Sequence, residues 1–247
     1  MTFIFSILTS TTGYIKTEGQ SGRMSARLLG VVAKGHRGRV YLSPRADFEA
    51  TAREAESNPL VDLARETFLA GSIPEKLTGG TCYKYGLTSW GSLFTSRQLV
   101  ALTNFCDLVT EARDRAKADA IAAGLVNDNV GIDDGGIGAQ AYTEAVATYL
   151  AFGVDKAADY WSSITSWHSG REIIRNTMAR QAIPMVWDFT EVNPFSSSTG
   201  NFLNGIDWGA KVLDLVVGDY PGEAKQLDAT QSMDGIQNPV LDRNSQM

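Results

Sequence analysis

Two groups of residues in this 247-residue sequence are of a type and spacing suited to chemistry. The first is Asn193-Pro194-Phe195. An Asn carboxamide oxygen and a Pro carbonyl accept hydrogen bonds from an amino group while the neighbouring ring stacks on the base that carries it, which is how an N-P-P-F/Y loop grips an extruded adenine. One proline of that pattern is missing. The alternative is an N-P turn that ends a helix and is packed by Phe195. The second group is a set of cations near the start, Lys16, Arg23, Arg27, Arg37 and Arg39, suited to neutralising phosphates. Arg175 and Arg180 could also bind phosphate, although pairing with Asp188 or Glu191 is the simpler expectation.

Other patterns argue against further chemistries. The Gly/Asp run at 127–138 follows no strand, misses the P-loop and G-x-G-x-x-G spacings, and carries Asp133 and Asp134, which would repel phosphate. Its Asp spacing also misses the EF-hand pattern, and a linker is expected. Cys82, Cys106, His36 and His168 are too scattered for a closed zinc site, so no metal ligand is assigned. Cys106 falls on an apolar helical stripe and is expected in the core. The opening MTFIFSILTS lacks a positive start and is too short to span a bilayer, and charges interrupt every other apolar run. A cytoplasmic protein without membrane contact is expected.

The composition, 43% hydrophobic and 20% charged, supports a real core. The net charge of −6 argues against a wholly basic nucleic-acid coat. Charge is unevenly spread, however. Through Arg53 there are eight basic against three acidic residues, and from Gln181 onward three basic against nine acidic. A basic front that approaches a polyanion such as DNA explains this, and an ordinary solvated surface is the alternative.

The elements that must position these groups follow from periodicity. Met24, Leu28, Leu29 and Val32 recur at helical spacing and predict a short helix, followed by the turn Gly35-His36-Arg37-Gly38 and a strand over Arg39–Leu42. Weak helical periodicity over 49–69 breaks at Asn58-Pro59, and 71–80 is a connector. The strongest helix spans about 91–123, with a capping box formed by Thr95 and Gln98 and Gly124 as its terminator. A second long helix over about 139–162 carries Tyr142, Val146, Tyr149, Leu150 and Val154 on its apolar face. Helical spacing resumes over 171–191 until Pro184 ends it, and a last helix over about 203–217 turns Ile206, Ala210, Leu213 and Val217 towards the core. Trp90, Trp161, Trp167 and Trp187 are read mostly as core residues. The fold class is therefore α+β and predominantly helical, with short strands near both ends. The regions are a basic 1–48, a linker with weak helix over 49–90, a helical 91–220 and a tail over 221–247.

Four runs carry a resemblance: YIKTEGQSGRMSARLLGVVAKGHRGRVYLSP at 14–44, YGLTSWGSLFTSRQLVALTNFCDLV at 85–109, AVATYLAFGVDKAADY at 145–160 and NTMARQAIPMVWDFTEVNPFSSSTGNF at 176–202. Together they resemble the family of adenine-specific DNA methylases that contain a zinc ribbon, over nearly the whole of 14–241. The resemblance implies a larger α/β methyltransferase that uses S-adenosylmethionine to methylate the adenine amino group in DNA. It implies that residues 1–48 are the remnant next to the ribbon, and that Asp228 matches the acidic element near the cofactor adenine, where a carboxylate accepts from an amine. A turn-forming role is the other reading of Asp228. The family's F-x-G-x-G cofactor turn, its ribbon cysteines and its D-P-P-Y loop have no counterpart here. The expectation is a middle segment of such an enzyme, with no complete catalytic site of its own. Its only catalytic candidates are Asn193, Pro194 and Phe195. It would bind no S-adenosylmethionine alone, would partner DNA and the remaining parts of the methylase, and would expose the apolar faces of its 142–154 and 203–217 helices. The alternatives are a non-enzymatic nucleic-acid-binding or partner-docking module and a defective translation product.

Overall fold

The computed structural model describes residues 2–6, 12–76, 79–179 and 182–216. A four-stranded antiparallel sheet of order β3-β2-β1-β6 combines β1 (Thr2–Ser6), β2 (Arg27–Lys34), β3 (Arg39–Leu42) and β6 (Asp188–Glu191). A separate hairpin pairs β4 (Ser166–His168) with β5 (Ile173–Arg175). The helices are α1 (Thr12–Gln20), α2 (Ala46–Glu54), α3 (Pro59–Leu63), α4 (Ser96–Ala122), α5 (Ala139–Ala158) and α6 (Phe202–Leu215). This is an α+β arrangement, and every strand pair among the described residues is antiparallel. One compact unit runs through Val212. No helix among the described residues is long and apolar enough to cross a membrane.

The sheet corrects the expectation of a helix around Leu28. Opposite β1, Ile4 pairs with Gly30 but Phe5 with Leu28, so Leu29 is an extra residue in a β-bulge. The bulge puts Leu28 and Val31 in one cluster with Phe189 of β6, Phe48 and Val186. The three-residue step between them imitates a helical period while the backbone is extended. The predicted turn and strand beyond it do form. Lys34 pairs with Arg39, and Gly35 N donates to Gly38 O at 2.7 Å.

The interrupted helix is built as its sequence demands. Asn58 accepts from Leu60 N to cap α3, and Pro59 takes the first helical position, where its missing N–H costs nothing. Gly86, at φ +90°, lies so close to the Gly19 carbonyl that any Cβ would collide with it, which docks α1 onto the 3-10 turn Cys82–Tyr85.

Helix α4 starts at the predicted capping box, with Thr95 Oγ1 accepting from Gln98 N and Gln98 Oε1 accepting from Thr95 N. It ends where Gly124 adopts φ +100°. Leu99 and Phe105 of its stripe are buried, but Cys106 is exposed, which corrects its reading as a core residue. On α5 the expected face is buried at Val154 but turns outward at its tyrosines. Ala139, Ala141, Thr143, Gly153, Val154 and Ala157 are buried while Tyr142 and Tyr149 face out. Small side chains let α4 and α5 approach closely, and Thr143 Oγ1 donates across the seam to Arg113 O.

Over 171–191 the described residues form β5, a loop and β6 rather than a helix. Ile174 is buried opposite Trp167 in the hairpin, whereas Met178, the next member of the supposed helical stripe, is 77% exposed. Helix α6 has no fully buried residue, and both Ala210 and Leu213 are exposed, contrary to the predicted core face. The 127–138 run is not a slack linker. Asp128 accepts from Val130 N, Glu144 from Ile132 N, and Lys117 donates to Asn129.

Candidate nucleic-acid interface

Trp187–Glu191 reads in sequence as a helix end, yet the structure makes Asp188–Glu191 a strand whose Phe189, Thr190 and Glu191 are buried. The strand hands the chain directly to Asn193-Pro194-Phe195. Its last residue is fixed by a fork. Arg97 Nε donates to Glu191 Oε2 and Nη2 to Oε1, each at 2.8 Å, and Thr95 Oγ1 donates to Oε1 at 2.7 Å. The third guanidinium nitrogen of Arg97 donates to Ala52 O. The start of α4, the end of α2 and the end of β6 are thereby joined through one bidentate pair, a geometry a lysine cannot reproduce. A neighbouring pin holds the other side of β6, because Thr165 Oγ1, fully buried, donates to Thr190 O at 2.7 Å. Glu191 is thus the partner of Arg97, no ion pair joins it to Arg175 among the described residues, and Arg180 lies outside them.

The turn itself is ordered by its own acceptors. Asn193 Oδ1 accepts from Phe195 N at 3.0 Å, and Pro194 O accepts from Phe202 N at 3.1 Å. Both are the groups that the loop chemistry would offer to an amine, and here the turn uses them. What the turn presents outward is the ring of Phe195, 83% exposed, with its inner side 5.8 Å from the Phe105 ring. Beneath the turn is a hollow of about 350 Å³ walled by Trp161, Gln98, Ala101, Val192 and Pro194, with Glu191 and Arg97 on its rim. Trp161 is buried and donates from Nε1 to Gly200 O. It and the turn therefore belong to one packed body.

The predicted cations separate into two groups. Arg23 makes a double hydrogen bond to Glu18 at 2.7 Å, which holds the Glu18 carboxyl below its ordinary range and Arg23 above its own. Lys16 sits 5.9 Å from the Tyr85 ring centre. Arg27, at the start of β2, shares with Arg23 and Arg53 a separate hollow that also holds Glu18 and Glu49. Carboxylates therefore compensate Arg23 and Arg53 there, while Lys16 faces a ring. Arg37 and Arg39 are instead on the β2–β3 hairpin, where Arg39 lies 5.7 Å from the Trp167 ring centre. The basic front of the sequence does not form one continuous face. A charge count records Glu18 as one acid among eight bases but not that it is spent on Arg23.

The remaining candidates hold no chemistry of their own here. Asp228 lies outside the described residues. Cys82 is buried, and burial pushes its thiol up. Cys106 is likewise raised, first by the packing around it and then by Asp107 and Asp155, so neither thiol is activated. Among the described residues no group of three His, Cys, Asp or Glu is placed to hold a metal. The richest glycine run, 131–138, does not fit a nucleoside cofactor. It follows α4 instead of a strand, and the backbone at Gly136 and Gly138 is closed over by the Val130 carbonyl and the Asp128 carboxylate. Of the four tryptophans expected mostly in the core, Trp161 is the fully buried one, while Trp187 packs edge-on against Tyr85 with ring centres 4.8 Å apart. The Arg97–Glu191 fork was not foreseen. Its only sequence signal is a basic residue inside a capping box, and its partner is 94 positions away.

Comparison with protein families, curated proteins and solved structures finds no match to this chain.

Proposed function

We propose that this chain is the DNA-gripping segment of an adenine-specific DNA methyltransferase and transfers no methyl group by itself. One observation carries the reading: β6 ends in an ordered Asn193-Pro194-Phe195 turn that displays an exposed aromatic ring, while Asn193 and Pro194 of the same turn line a Trp161-walled hollow. An exposed ring on a rigid turn is a stacking platform for an unpaired base, worth about 1–3 kcal/mol per base. The turn's amine acceptors are engaged internally, and the sequence has no F-x-G-x-G turn. Seating of the methyl donor and the grip on the adenine amine therefore fall to other polypeptide. S-adenosylmethionine would supply the methyl group in the complete enzyme.

The test is binding and transfer on the same purified chain. Fluorescence anisotropy should show binding to single-stranded DNA that weakens steeply with salt, and Phe195→Ala should weaken it roughly tenfold, as loss of one stacking contact predicts. Labelled S-adenosylmethionine should leave no label on adenine. Methyl transfer by the chain alone, or absence of DNA binding, would overturn the reading. A second reading, a free-standing nucleic-acid-binding module, is favoured by the all-antiparallel sheet, which is not the parallel sheet of a nucleotide-binding domain. The remaining parts of a methylase, added in trans, restore adenine methylation under the first reading and not under the second.

A further inference from the structure

The tip of the β2–β3 hairpin concentrates positive charge without compensation. Lys34 and Arg39 are direct cross-strand partners, and His36 and Arg37 occupy the turn between them. Like charges directly opposite on adjacent strands repel, so the pairing is unfavourable unless an anion sits between or above them. The nearest ring partner, Trp167 against Arg39, is neutral and leaves the charge in place. Glu172, at the tip of the β4–β5 hairpin, is bound by Tyr41 Oη at 2.8 Å, two residues further along β3, and does not line the hollow at the hairpin tip.

That hollow, of about 390 Å³, lies between the hairpin and the serine run 196–198. Lys34, His36 and Arg39 line one side, Ser196, Ser197 and Ser198 the other, and no carboxylate lines it. The serine loop is pre-shaped. Ser196 N donates to Asn193 O at 3.0 Å, Ser198 N donates to Ser196 Oγ at 3.3 Å, and the hydroxyls of Ser196 and Ser198 share a bond of 2.6 Å. One of those two hydroxyl protons is used between them, so the other can be donated outward. Cations facing hydroxyls with no competing acid is the donor set that binds phosphate oxygens. The serines directly follow Phe195, so the hollow and the exposed ring are one short loop apart.

We infer that this hollow binds backbone phosphates of the nucleic-acid strand whose base stacks on Phe195. The inference rests on the DNA-binding reading above and adds the place where the strand's backbone is held. It leaves Arg23, held by Glu18, out of that role.

The experiment compares the full chain with K34A/R39A and, as a control for loss of a cation away from the hairpin tip, R45A, whose side chain is paired with Asp47. Anisotropy with a labelled single-stranded oligonucleotide is measured across salt. Each lost phosphate contact lowers the slope of log K against log salt by about 0.7, so K34A/R39A should flatten it by about 1.4 and weaken binding at least tenfold at low salt. R45A should change the slope by less than half of one contact. In parallel, inorganic pyrophosphate is titrated against the isotope-labelled chain, and amide shifts at Gly35, His36, Gly38 and Ser197 should move and be cleared by the oligonucleotide. If wild type binds DNA and K34A/R39A matches R45A, the inference falls while the DNA-binding reading stands. Pyrophosphate shifts at the hairpin together with unaltered DNA affinity in K34A/R39A would mark a site for small anions and also overturn it. If wild type binds no DNA, both fall. Circular dichroism of K34A/R39A confirms that a loss of binding is not a loss of fold, and S197A, expected to weaken binding less than the charge variants, supplies an independent second test.

Discussion

Removing Arg97 should cost this fold more than removing any other surface-reaching charge, and the size of the loss follows from what is left behind. In Arg97→Ala the Glu191 side chain, 7% exposed, loses both guanidinium bonds and retains the Thr95 Oγ1 donor. Ala52 O loses a donor at the same time. Breaking a buried pair by deleting one partner costs about 3–5 kcal/mol, and because Arg97 is itself 25% exposed the lower end, about 3 kcal/mol, is expected. At a urea m-value of about 3 kcal/mol/M this moves the unfolding midpoint down by about 1 M without changing the slope. Arg97→Lys should recover less than half, since an ammonium cannot span both oxygens. Arg97→Ala/Glu191→Ala should lose clearly less than the sum of the single changes, because the second substitution removes the stranded charge. Urea titrations followed by far-UV circular dichroism and tryptophan fluorescence measure the wild type, the three single variants, Glu191→Ala included, and the double variant. A loss below about 1 kcal/mol in Arg97→Ala, or strict additivity in the pair, would show that the fork is a solvated surface contact and that the turn after β6 is held by something else.

Two further outcomes are expected. Gly86→Ala, which forces a Cβ into the Gly19 carbonyl at a positive φ, should loosen α1 and lower stability by at least the roughly 1–2 kcal/mol of a left-handed alanine, read as a lower unfolding midpoint and faster amide exchange over Thr12–Gln20. The Glu18 carboxyl is held below its ordinary value chiefly by its hydrogen bond to Arg23, so what the pair contributes is present above the unfolded carboxylate range and is lost as pH falls through the lowered folded value. Carboxyl-carbon NMR titration should show this, and Arg23→Ala should return Glu18 to an ordinary titration; an unchanged curve would refute the assigned cause.

How far the sequence could be read depended on whether the signal was local. The capping box at Thr95, the glycine stop at 124, the Asn58-Pro59 interruption and the Gly35 to Gly38 turn each need only a few neighbouring residues, and each is where the spacing put it. Long helices were found, but not their orientation. Tyr142 and Tyr149 attract the apolar face of α5 on hydrophobicity, whereas contact with α4 selects the small residues that allow close approach. Short strands failed for the opposite reason. A bulge at Leu29 gave β2 a helical step, and three-residue β5 and four-residue β6 are too brief for alternation to declare itself. At the candidate site, Asn193-Pro194-Phe195 was visible as a motif, while the Arg97–Glu191 fork that fixes it and the serine loop opposite the hairpin depend on pairings made only by folding.

The extra residue at Leu29 also determines where this strand can change length. Regular alternation continues past it, so Leu28 and Val31 share a side with or without the insertion. Deleting Leu29 alone would keep Arg27 and the hairpin in phase with the sheet. A single deletion further along, between Val31 and Ala33, would instead move the residues beyond the cut to the opposite face and out of register with Arg39–Leu42, with no bulge there to absorb it. The bulge thus acts as a spacer whose presence is negotiable, set in a strand whose remaining residue count is not.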